Sequence, residues 1–374
     1  MTEHLQQDHH RPTGLGMPVS RKSFLRASMT AGLAVAGAGG MTALGPATPA
    51  SAAPSVQKIK VIAGTGTAPV YGVGATDLGI PARCPDGRNL YIFGDTFADR
   101  FGGANWRSPV GLYSPSSSGN PIFFNGAVGG PTAKQLWDYP HDSYFATVIP
   151  SDIITIGSTM YLQAIVNGPT FGQVRWTEIW KSTDSGENWT HTGVKFDGTQ
   201  DGGRFQLITW ALGPDDFVYL YGTGFQRDKG LILYRVQKDS LENKAAYQPW
   251  GYQGGWGWGK PATEVLGGKF GEMCLRRYGS KYVLTWFNAG AYRMDAMVLN
   301  SPIDNLVTTT KTTLIQGGSW GAEDNTHVAQ LYGGYQVPGG SISNFDLIVS
   351  QWNTTAGADN TPYQAMQFRV SGLT

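Results

Sequence analysis

One hydrophobic signature recurs five times along the chain. Runs of nine or ten residues, rich in β-branched and aromatic side chains, occupy Asn89–Phe97, Thr159–Asn167, Asp216–Gly224, Lys281–Gly290 and Phe345–Asn353. Their composition is that of strands packed on both faces. Each run follows a turn rich in Gly, Pro, Asp or Ser and, before it, a second strand-like run. These partners are Ala75–Arg83, Tyr144–Pro150, Phe205–Leu212, Glu272–Tyr278 and His327–Tyr332. A third strand is predicted after most of them, at Val110–Ser114, Glu178–Ser182, Leu231–Val236, Ala296–Asn300 and Ala365–Val370.

A repeat of about 64 residues is the length of one propeller blade of about four strands. Five such units account for nearly all of residues 53–374, so the pattern predicts an all-β, five-bladed β-propeller. Glycine is frequent, at 52 residues, and charged residues make up only 15%, as expected where short strands are joined by tight turns. A two-sheet sandwich would leave five similar units unexplained. A separate cue is Ser182-Thr183-Asp184-Ser185-Gly186-Glu187-Asn188-Trp189, an Asp-box pattern of the kind that closes hairpins on propeller rims. There the Asp binds turn amides, Gly takes a positive φ and Trp packs beneath, so Asp184 is expected to be structural.

Residues 1–52 do not follow the strand pattern. Ser20-Arg21-Lys22-Ser23-Phe24-Leu25-Arg26 resembles a twin-arginine export motif with lysine in the second place. A weakly apolar Gly/Ala stretch follows, and Ala50-Ser51-Ala52 offers a small-residue cleavage site. The expected protein is therefore secreted, with an export signal at 1–52 and a propeller domain at 53–374. The apolar stretch is too broken by glycine for a stable membrane span.

Loss of residues 1–52 would shift the net charge from +1 to about −1 and leave His141, His191 and His327. This balance offers no surface for nucleic acid, and a three-histidine metal centre would need all three. No metal or cofactor is expected for catalysis, although channel carboxylates and carbonyls could hold a structural calcium. Cys84 and Cys274 are too few for a disulfide framework, and the sequence leaves their pairing open. The protein is expected to act as a monomer.

The chemistry is sought where propellers place it, at one mouth of the axial channel. If Arg83 faces Asn89 across the first hairpin, regular pairing sets Asp77 opposite Asp95. Like charges held that way destabilise a sheet, whereas a protonated carboxyl beside an ionised one is what glycoside hydrolysis uses. The short cross-strand separation would favour retention of configuration. Asp95 as a turn former and Asp77 as a strand-entry cap is the plainer alternative. Asp142, which opens an inner strand, and His327 are candidate substrate contacts. Trp210, Trp286 and the loop carrying Trp256 and Trp258 are candidate sugar-stacking surfaces, although most tryptophans of such a fold pack in its core.

Ala75-Thr76-Asp77-Leu78-Gly79-Ile80-Pro81 paired with Phe93-Gly94-Asp95-Thr96-Phe97, followed by Trp106-Arg107-Ser108-Pro109, resembles a family of actinobacterial propellers long described as a domain of unknown function. That family includes endo-D-arabinanases, which cut the D-arabinan of mycobacterial arabinogalactan and lipoarabinomannan. The resemblance spans the chain after the export signal. It implies a five-bladed fold, internal hydrolysis of α-linked D-arabinofuranosyl chains, and Asp77 and Asp95 as the catalytic pair. Two rivals remain. A sialidase-like site would need an arginine triad for which the chain has few arginines. A carbohydrate-binding propeller would suit the aromatic content but not the aspartate pair.

Overall fold

The computed structural model describes residues 53–354 and 362–374; the predicted export signal lies outside them. Strand β1 (Ser55–Gly64) is followed by five sheets in chain order. The first is β2 (Leu78–Arg83), β3 (Asn89–Phe93), β4 (Val110–Ser114) and the short β5 (Gly126–Ala127). The second is β6 (Thr147–Ile156), β7 (Thr159–Asn167), β8 (Val174–Ser182) and β9 (Thr190–Asp197). The third has β10 (Leu207–Leu212), β11 (Phe217–Thr223), β12 (Ile232–Gln237), β13 (Gln248–Tyr252) and β14 (Trp256–Trp258). The fourth has β15 (Phe270–Tyr278), β16 (Lys281–Asn288), β17 (Arg293–Leu299), β18 (Thr312–Gly318) and β19 (His327–Ala329). The last sheet is β20 (Leu331–Gln336), β21 (Asn344–Trp352) and β22 (Tyr363–Ser371), with β1 added to its outer edge.

Strands β2, β6, β10, β15 and β20 pack in that cyclic order, the last against the first, so the five sheets are the blades of a closed propeller. The repeated apolar runs are the second strands, buried because a blade is covered by a neighbour on each face. One strand departs from the predicted pattern. His327–Ala329 belongs to the fourth blade, where it pairs in parallel with β18, and the inner strand of the fifth begins at Leu331. Gln330 between them takes a left-handed φ of 49°, which breaks the extended run.

The Asp-box behaves as its sequence predicts, between β8 and β9. Asp184 Oδ1 accepts from the Asn188 amide at 3.0 Å, Gly186 has φ 94°, and the Trp189 indole donates to the Gly186 carbonyl at 2.9 Å.

The inner strands are tied together by a buried polar hub. Asp152 on β6 is fully buried and accepts from Thr209 Oγ1 at 2.6 Å, the Trp210 amide at 3.2 Å and the Arg276 guanidinium at 2.7 and 2.9 Å. One carboxylate thus links three blades, and its neutralisation by Arg276 makes its burial tolerable. Cys84 and Cys274 are both buried and free rather than bridged.

Candidate active site

Inner strands begin at one mouth of the channel and end at the other. Asp77 directly precedes β2 and Asp95 lies two residues past β3, so both belong to the mouth where the inner strands begin. They are buried, with 2% and 1% of their surfaces exposed.

The hairpin pairs Arg83 with Asn89 as expected, but the register slips between Leu78 and Ile80. Leu78 and Gly79 are both left-handed, at φ 68° and 77°, and form a bulge. The Leu78 amide, turned away from β3, donates to Ser350 Oγ of the fifth blade at 2.8 Å. Asp77 stands across from Gly94, whose amide donates to the Asp77 carbonyl at 3.2 Å, while the Ala75–Phe97 bridge beyond restores the predicted register, which leaves Asp95 as the extra residue of the opposite segment. The regular hairpin predicted from sequence is interrupted at the two aspartates, so its register does not decide between retention and inversion.

The two segments remain fastened. Ala75 and Phe97 exchange backbone hydrogen bonds of 2.8 and 3.2 Å, and the hydroxyls of Thr76 and Thr96 are 2.7 Å apart. Beyond them the carboxylates turn to different neighbours. Asp77 Oδ2 accepts from the Tyr332 hydroxyl of β20 at 2.8 Å. Asp95 Oδ1 accepts from Thr147 Oγ1 of β6 at 2.6 Å and from the Trp106 indole at 3.0 Å. Each carboxylate is thus held by an adjacent blade, one on either side of the first.

Aromatic side chains flank Asp95. Trp106 stacks on His141, with ring centroids 3.9 Å apart and planes 26° from parallel. Burial holds the His141 imidazole below its ordinary pKa against the opposing pull of the Asp95 charge, so the ring is neutral near pH 7. Tyr144 presents a ring that is 51% exposed, backed by the Arg175 guanidinium at 3.9 Å. Asp142 is exposed and accepts from the amides of Tyr144 and Phe145 at 2.7 and 2.8 Å; it shapes the loop that carries these aromatics.

The other sequence candidates lie elsewhere. Trp210 is fully buried in a cluster drawn from β7–β12, and Trp286 is 1% exposed against Phe270. Neither has an open ring face for a sugar. His327 is exposed on β19 and paired with Asp324 at 3.1 Å. Trp256 and Trp258 form β14 at the outer edge of the third blade, four strand spacings (about 19 Å) out from β10.

Three residues of the mouth were not singled out from sequence: Tyr332, Thr147 and Arg227. Arg227 pairs with Glu272 at 2.6 Å, and its guanidinium carbon lies 5.0 Å from the centre of the Tyr332 ring. A cavity of about 350 Å³ opens at the opposite mouth, lined by Pro81, Arg83, Ile154, Leu212, Arg276 and Pro338; neither Asp77 nor Asp95 borders it. Among the described residues, no group of three or more His, Cys, Asp or Glu is placed to hold a metal ion.

The family model described as a domain of unknown function (DUF4185) matches residues 64–369. An uncharacterised 35.9 kDa protein of Mycolicibacterium smegmatis is 30% identical over 333 residues, which is 83% of this chain and 97% of that protein. The notoamide biosynthesis cluster protein J' of Aspergillus versicolor is 32% identical over 325 residues, 78% of this chain and 84% of that protein. Among solved structures, a GH43 β-xylosidase/α-arabinofuranosidase from a compost microbial metagenome shares the fold, with a TM-score of 0.51 at 11% identity. The match covers 84% of this chain and 94% of that one.

Proposed function

This chain belongs to the family described as a domain of unknown function (DUF4185), and on that footing we propose that it is an exported glycoside hydrolase that cuts α-linked D-arabinofuranosyl chains internally. The observation that carries this reading is the pair of buried carboxylates at one channel mouth, each anchored by a different neighbouring blade.

In the proposed reaction, one of Asp77 and Asp95 is protonated and gives its proton to the glycosidic oxygen as the bond to the anomeric carbon breaks. The other, ionised, stabilises the positive charge that develops on the sugar ring. It then attacks the anomeric carbon, or takes the proton of the water that does so. Tyr332, Thr147 and Trp106 fix the carboxylates in orientation, which limits the reorganisation needed during reaction. The exposed Tyr144 ring offers an apolar face on which a flanking sugar can stack. A propeller named as a β-xylosidase/α-arabinofuranosidase has the same fold.

The test is incubation of residues 53–374 with mycobacterial arabinogalactan, with the products sized. A ladder of oligosaccharides is expected. Release of single sugars alone would reject internal cleavage, and glycan bound but never shortened would make the protein a carbohydrate-binding module.

A further inference from the structure

Glu272 is the third residue of β15, counted from the mouth that holds Asp77 and Asp95. It sits where the register of β15 against β16 is irregular, between Phe270 and Met273, and only 6% of its surface is exposed. Its two oxygens differ. Oε1 accepts from Arg227 Nη2 at 2.6 Å, whereas Oε2 is buried and accepts no hydrogen bond from the described residues. A charged acceptor left this way is costly in the empty site and well placed to receive a donor that arrives with a ligand.

Arg227 holds the carboxylate in place. It comes from the loop between β11 and β12 with a left-handed φ of 59°, and its cation lies over two rings, 5.0 Å from the centre of Tyr332 and 5.4 Å from that of Phe287. Its stem runs along Gly271, where a Cβ would come within 3.2 Å of Arg227 Cγ and 2.8 Å of Phe287 Cδ1. Tyr332, beneath the guanidinium, is the residue that donates to Asp77. Glu272 is thus one arginine and one tyrosine away from a proposed catalytic carboxylate. A second buried group, the hydroxyl of Tyr335 on the neighbouring inner strand, accepts and donates no hydrogen bond among the described residues, and its acidity is reduced first by burial and then by the Glu272 charge.

We propose that Glu272 is a substrate-binding, specificity-determining residue: its Oε2 accepts a hydrogen bond from a ring hydroxyl of the sugar bound beside Asp77, and Arg227 is the positioning residue that fixes it. This rests on the hydrolase reading above. A carboxylate accepting from a hydroxyl forms a short, charge-assisted bond, and such a bond discriminates strongly against a sugar lacking that hydroxyl.

The experiment compares wild type, Glu272→Gln and Arg227→Lys on arabinofuranosyl oligosaccharides. It uses the parent substrate and analogues that lack one ring hydroxyl, at C2 or at C3. Glu272→Gln keeps the shape and the Oε1 acceptor but turns Oε2 into a donor. KM should rise about tenfold or more, with a smaller change in kcat. One deoxy analogue should lose about the same factor in kcat/KM on wild type and nothing further on Glu272→Gln. Arg227→Lys, which keeps the counter-charge should the glutamine variant fold poorly, should also raise KM. Cleavage with KM unchanged in both variants, or an equal deoxy penalty in wild type and Glu272→Gln, would overturn the inference alone. No cleavage by folded wild type would overturn the hydrolase reading and this inference with it.

Discussion

Asp77 and Gly94 are best understood as a single fitted pair. A Cβ on Gly94 would stand 2.4 Å from Asp77 Oδ1 and 3.1 Å from Leu78 Cδ1, so glycine is the residue that leaves room for the carboxylate. Gly94→Ala is therefore expected to displace Asp77 and lower kcat by about tenfold or more, equivalent to about 1.4 kcal/mol of activation free energy. Steady-state kinetics on arabinan checks this, and unchanged kcat would mean that the carboxylate position does not matter. At this scale the sequence singled out Asp77 and Asp95 and predicted a regular pairing that the bulge interrupts. Asp77 and Asp95 stand out because acids near a strand entry need a reason. Their register was not legible, since the bulge at Leu78 and Gly79 is stabilised by Ser350, 272 positions away. Trp210 and Trp286 show the converse. A large aromatic on an inner or second strand reads equally well as sugar platform or core, and only the neighbouring blade decides.

The outer ribbon of the third blade shows how an element is written in alternating residues. Trp250 pairs with Trp258, Gly251 with Gly257 and Tyr252 with Trp256, so four aromatic rings share one face and two glycines the other. The glycine face is bare because the chain doubles back across it: a Cβ on Gly251 would lie 1.8 Å from the Pro261 carbonyl oxygen. Gly251→Ala should push that segment away and cost about 2 kcal/mol or more in stability, measured by urea denaturation. Unaltered stability would show that the crossing is not tightly packed. The alternation of tryptophan and glycine was visible in the sequence; Trp256 is 48% exposed, on a strand and not on the predicted loop. The crossing segment behind it was not, because nothing local to Lys260 and Pro261 signals it.

For the whole molecule, closure of the ring depends on the first strand. β1 pairs with β22 along its length and buries Ile62 and Ala63, so the fifth blade is made from both ends of the described chain. A chain starting at residue 53 should fold, whereas one starting at residue 66 leaves the outer edge of β22 open. The shorter form is expected to unfold about 10 °C lower or to aggregate, as calorimetry and size-exclusion chromatography would reveal. Equal midpoints would mean that closure does not need β1. Five units and their strands were legible because the repeat length is set by blade geometry. The joining of β1 to the last blade was not, because that strand lacks the strong apolar run of the others: it alternates lysine and glutamine with valine and isoleucine, as suits an outer edge. Stability comes from this packed ring and not from a bridge, since both cysteines are buried and free, with burial pushing each thiol pKa up to about 12.

The central claim is that the two carboxylates at one mouth carry out glycan hydrolysis. The most direct measurement follows oligosaccharide release from mycobacterial arabinogalactan by the wild-type chain, Asp77→Asn and Asp95→Asn. All three should first be matched for fold by circular dichroism and thermal midpoint. Each asparagine keeps the shape of the side chain and removes its charge and its titrating proton. The account predicts oligosaccharides from wild type and a loss of at least about a thousandfold in kcat with either variant. Wild-type rates retained by either folded variant would contradict it.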